Sequence, residues 1–218
     1  LKFNLNNIKN GILIIRKDFS ICISEFCLSI YQYIPILIVG YFTGNSIAGM
    51  YRVIEQIFSI FRTFIFMYFN FSYPTICYEI EKNIKNGLNI WKYYHLAHLV
   101  IIIIGVILIY ALNEYVLDFF HISAQDKGNL IHLLTIALLV PILLVVSQAL
   151  RQLMFALNLT NYYTKIIYFS CSLSVMLLSL MVFYIGLIGS FISMIIVEIT
   201  VIILYTTIIK KNLTNKDT

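Results

Sequence analysis

The chain reads as six long apolar stretches joined by short polar connections, a pattern that leaves few folds open to it. The stretches run over about 19–42, 46–78, 96–117, 129–156, 162–185 and 187–209. Each exceeds the roughly 18 residues that mark a helix able to cross the hydrocarbon core of a bilayer. Lipid offers a bare backbone no hydrogen-bond partner, and the alternating pattern of a barrel strand is missing, so helices are expected. Composition points the same way. Only 11% of the residues are charged and 61% are hydrophobic, whereas a soluble domain uses about 25% charged residues to cover its water-facing surface. The expected fold is an all-α integral membrane protein, a single six-helix bundle over residues 1–218. Gly-containing turns at Gly40–Asn45 and Ile185–Gly189 are tight enough to force the helices they join to pack antiparallel.

Basic residues orient this bundle. Lys2, Lys9, Arg16, Lys17, Lys82, Lys85, Lys92, Lys165, Lys210, Lys211 and Lys216 fall on one side. Only Lys127 falls on the other, and Arg52, Arg62 and Arg151 lie inside stretches. Cytoplasmic loops are the ones enriched in Lys and Arg, so both termini are expected in the cytoplasm. The net charge of +5 therefore reports topology and gives no reason to expect a nucleic-acid partner. The cysteines (Cys22, Cys27, Cys77, Cys171) lie in or beside apolar runs without CxxC spacing, and read as packing thiols rather than a disulfide or metal framework. The chain begins Leu1-Lys2-Phe3, with no initiator Met and no cleavable leader, which leads to the expectation of a fragment of a longer protein.

The second stretch carries the chemistry. At the helical angle per residue, Arg52, Glu55, Gln56, Ser59, Arg62, Thr63 and Asn70 share one stripe, and the rest of the circumference is apolar. Such a stripe must face protein or water, because a charge facing lipid costs several kcal/mol or more. One reading has it lining an aqueous cavity, where Arg52 and Arg62 offer planar forks to an anionic solute and Glu55 weakens the grip. The other has Arg52 and Glu55, at i,i+3, as an internal pair that holds helices together. Glu25 and Glu198 sit inside the first and sixth stretches as ion-coupling candidates, or else as carboxylates paired with an arginine or protonated. Arg151, near the end of the fourth stretch, either joins the cavity or snorkels to the interface.

Other patterns carry less. His121 and Asp126 have a spacing used by some acyltransferases but sit in a short loop. His95 and His98 stand at i,i+3 without a third metal ligand nearby and read as interfacial histidines. The sequons at Asn70, Asn158 and Asn212 lie within spans or on their cytoplasmic side, out of reach of glycosylation. There is no P-loop and no nucleophile elbow.

Several segments, in order, resemble a known family. Ala48-Gly49-Met50-Tyr51-Arg52-Val53-Ile54-Glu55 followed by Tyr73-Pro74 is similar to the second helix of the C-terminal half of Wzx-type O-antigen flippases, the polysaccharide-transporter branch of the MOP exporter superfamily. Arg151 through Asn158 resembles the end of that family's tenth helix, and Gly186-Leu187-Ile188-Gly189 with Ser193 and Glu198 resembles its last hairpin. The chain departs at Gln56, where the family often has a basic residue. The resemblance implies one six-helix lobe of a two-lobed, MATE-like transporter. It implies movement of an undecaprenyl-pyrophosphate-linked oligosaccharide to the outer leaflet of a bacterial inner membrane, with no cofactor and no enzymatic activity. The implied partners are the lipid-linked oligosaccharide, membrane lipid, the missing N-terminal half, and a polysaccharide polymerase and chain-length regulator. The alternatives are another MOP-type exporter (multidrug or lipid), a structural subunit, or a membrane-bound polymerase or acyltransferase. Polymerases normally carry a large outer loop, and the longest here is about a dozen residues.

Overall fold

A computed structural model describes residues 5–122 and 124–217, and all regular structure among them is helical. The helices are α1 (Leu5–Thr43), α2 (Asn45–Lys82), α3 (Ile84–Ala111), α4 (Asn113–Phe119), α5 (Ala124–Ala137), α6 (Leu139–Ala156), α7 (Thr160–Ile185) and α8 (Leu187–Asp217). Lys2 lies outside the described residues, as do the side chains of Lys9, Arg16, Lys17, Asp126 and Lys216. Among the described residues, five segments are long and apolar enough to cross a membrane: Cys22–Thr43, Ile84–Ala111, Lys127–Ala156, Thr160–Ile185 and Leu187–Thr214. These mark the protein as membrane-embedded.

Of the six expected spans, the first, third, fourth, fifth and sixth meet these limits of length and apolarity, and the second does not. The second stretch does form one continuous helix, α2, of 38 residues. The polar residues along it dilute its apolar character below that of these five segments. Two boundaries also move. The third helix starts at Ile84 rather than near residue 96, because Asn83 caps it by accepting a hydrogen bond from the Asn86 N–H at 3.2 Å. It ends at Ala111, and the short α4 takes up the remainder. The fourth stretch divides at Leu138 into α5 and α6. Pro141 is the reason: lacking an N–H, it belongs in the first turn of a helix, and it stands third in α6. The Leu138 N–H still reaches Leu134 O at 2.8 Å, so the division is a kink and not a loop.

Both expected turns are present. Gly44 alone joins α1 to α2 with φ 87°, and Gly186 alone joins α7 to α8 with φ 68°, backbone that glycine adopts without strain. Asn158, one of the sequon asparagines, has φ 59° and closes the turn between α6 and α7.

Packing arranges five of the long helices in a ring: α1 against α7, α7 against α8, α8 against α6, α6 against α2, and α2 against α1. Outside the ring, α3 packs on α2 and α6. Two apolar clusters fill the interior. One gathers Tyr51, Ile54, Phe58 and Phe191, with Tyr51 stacked on Phe191 at 5.6 Å; the other gathers Met154, Tyr163, Val201 and Tyr205.

Candidate functional site, a polar cavity inside the helix ring

Between the two clusters lies a cavity whose walls come from all five ring helices. It has about 60 Å³ of room for the centres of water-sized atoms. Much of the wall is apolar (Phe58, Phe61, Val140, Met194), but Arg62 from α2, Arg151 from α6 and Glu198 from α8 also line it. Ser147, Gln148 and Ser170 add hydroxyl and amide groups.

Each arginine is engaged by a carboxylate. Arg62 pairs with Glu55 on its own helix, seven residues back. Two full turns bring residues seven apart nearly into register, and long side chains cover the rise between them. Glu55 is buried and Arg62 half-buried, while Arg52 is exposed and lines no part of the cavity. In the alternative reading of the stripe as an internal pair, the partner is corrected: Glu55 turns to Arg62 and not to Arg52. The stripe itself is split. Glu55 and Arg62 face the interior edge, while Arg52, Gln56, Ser59, Thr63 and Asn70 form an exposed polar face.

Arg151 is a junction of four helices. It donates through Nη2 to Glu25 on α1 and through Nη1 to Gln148 on α6 at 3.2 Å. Its guanidinium lies over three rings, Phe69 of α2 at 5.6 Å, Phe155 of α6 at 5.4 Å and Tyr163 of α7 at 5.3 Å. Each such contact contributes about 0.5–2 kcal/mol, more where water is excluded. Tyr163 donates its hydroxyl to the same Glu25 oxygen at 2.8 Å. Of the two ion-coupling candidates, Glu25 is thus an arginine-paired carboxylate, and Glu198 is a buried carboxylate of the cavity wall.

Beside the cavity a second polar cluster ties α2, α3 and α6 together. Gln152 is fully buried; it donates to Phe69 O and to Ser72 Oγ, both at 3.0 Å, and its Oε1 accepts from His95 Nε2 at 2.6 Å. His98 stacks on Tyr68 at 4.0 Å. Both histidines are buried between helices. Among the described residues no three His, Cys, Asp or Glu side chains converge as metal ligands. His121 ends α4 in a left-handed turn at φ 54°. The residues that sequence reasoning passed over are Gln152 and Tyr163. A lone glutamine inside an apolar stretch was the available signal, since polar groups at membrane depth are kept only where they find partners.

Comparison of the chain with protein-family models, with curated proteins and with solved structures finds no match. The geometry itself defines the class: a helical, membrane-embedded protein enclosing a small cavity that carries two guanidinium groups.

Proposed function

We propose that the protein is one lobe of an exporter that flips a lipid-linked oligosaccharide across the bacterial inner membrane, handling the substrate by its pyrophosphate. The observation that carries this reading is the placement of Arg62 and Arg151, from different helices, on one cavity inside an apolar bundle. Guanidinium groups keep their charge in such surroundings and bind phosphate through paired hydrogen bonds. The resemblance to Wzx-type flippases supplies the substrate class and the second lobe. In this reading α2 is the sixth span, both termini are cytoplasmic, and the exposed polar face with Arg52 turns toward the aqueous cleft between lobes. That face would otherwise meet lipid at a cost of several kcal/mol per charge. The protein would work as a transporter and not as an enzyme, beside a polysaccharide polymerase and chain-length regulator.

The test is export of surface polysaccharide by a flippase-null strain that carries the complete two-lobed transporter. Arg62→Ala and Arg151→Ala are each expected to lower export at least about tenfold at equal expression, a loss of about 1.4 kcal/mol or more of productive interaction. Wild-type export by both variants would overturn the reading.

A further inference from the structure

The geometry points to Arg151 as a phosphate site that Glu25 keeps closed: the carboxylate on α1 occupies the guanidinium until a phosphate group displaces it, releasing the polar link from α1 to Arg151 and Tyr163 and loosening the contact between α1 and α7. The inference rests on the anion-handling cavity proposed above and adds the device that guards it. Three features support it. First, the cation is fixed and the anion is not. The Arg151 side chain is 15% exposed and boxed by three rings, whereas that of Glu25 is 43% exposed and packed by fewer neighbours on its open side. Second, the guanidinium is under-used: its buried Nε–H has no acceptor, although Nη1 and Nη2 do. A single carboxylate oxygen serves both Arg151 and Tyr163, while a phosphate group presents enough oxygens to satisfy Nε and Nη2 together. Third, the cavity that Arg151 lines also presents Arg62 from a second helix, with Ser147, Gln148 and Ser170, donors that suit the oxygens of a phosphate group. The ligand class is therefore a phosphate or diphosphate group. Displacement has a mechanical consequence, because Glu25 is the residue through which α1 holds both Arg151 and Tyr163.

The experiment measures ligand affinity of the protein in lipid nanodiscs by calorimetry, with inorganic pyrophosphate in one arm and a polyprenyl diphosphate in the other. Glu25→Gln is expected to bind about tenfold tighter than wild type, as a site closed nine-tenths of the time requires. Tyr163→Phe, which removes one of Glu25's partners without changing charge, should shift affinity in the same direction by less, and serves if Glu25→Gln does not fold. Tightening in either arm supports the inference, and the arm that shows it identifies headgroup or free anion as the source. A second readout is native to the chain: the Cys171 thiol lies 3.6 Å from Cys27 O, across the contact between α7 and α1. Cross-linking of these two cysteines by a short bismaleimide should slow when the anion is added. If wild type binds pyrophosphate and neither variant binds it tighter, the guarding carboxylate is wrong and the anion site stands. If no form binds either ligand, the anion site and its guard fall together.

Discussion

Gln152 shows how much one polar side chain decides inside an apolar bundle. Its amide reaches three groups on two neighbouring helices, and all three are left without that partner if it is removed. Hydrogen bonds between membrane helices average about 0.6 kcal/mol each, because the unfolded state in lipid also finds partners. Gln152→Leu keeps the volume while deleting all three bonds, so we expect a stability loss of about 2 kcal/mol. Reversible unfolding in mixed detergent and SDS micelles measures it. Adding His95→Leu should cost less than it does alone, since the two residues share one bond; additive losses would show that the bond carries no weight. The residue scale is also where the sequence was least legible. The i,i+3 spacing of Arg52 and Glu55 is the pairing that short-range rules favour. Burial of Glu55 decides instead for Arg62, two turns away.

At the scale of elements, the connections were the most legible part. A single glycine with positive φ suffices to reverse the chain at Gly44 and at Gly186, and such backbone is read directly from residue type. Close approach was not legible. A Cβ on Gly189 would stand 2.2 Å from Met181 O, a backbone atom that cannot turn aside. Gly189→Ala is therefore expected to destabilise the α7–α8 hairpin by about 1–3 kcal/mol, the usual cost of overpacking. Gly49→Ala on α2 meets nothing within 4 Å and should be neutral or slightly stabilising, since alanine is the better helix former. Equal melting temperatures for the two variants in detergent would contradict the close contact. The kink between α5 and α6 belongs to this scale as well: Pro141 signals it in the sequence, but only the start of α6 shows on which side the helix restarts.

For the whole molecule the open count is settled by α2. With 28 residues, α3 is about 42 Å long at 1.5 Å per residue, ample for a hydrocarbon core of about 30 Å. Lys82 and Lys127, which flank the segment from α3 to the start of α5, should therefore react from opposite sides when replaced by cysteine and labelled with an impermeant thiol reagent. The same assay at Asn45 and Lys82 tests α2. Opposite sides give six spans and the proposed cytoplasmic termini; the same side gives five and removes the eleven-to-one charge asymmetry as an argument. The helical class, the approximate spans and the turns follow from the chain alone, because hydrophobic burial in lipid and backbone hydrogen bonding act over a few turns and are written in local composition. The ring, its cavity and the meeting of Glu25 with Arg151, 126 residues apart, do not. Which carboxylate reaches which arginine depends on how the helices pack, and helices uniformly apolar on most faces leave that choice to side-chain fit and to the few polar groups that must find each other.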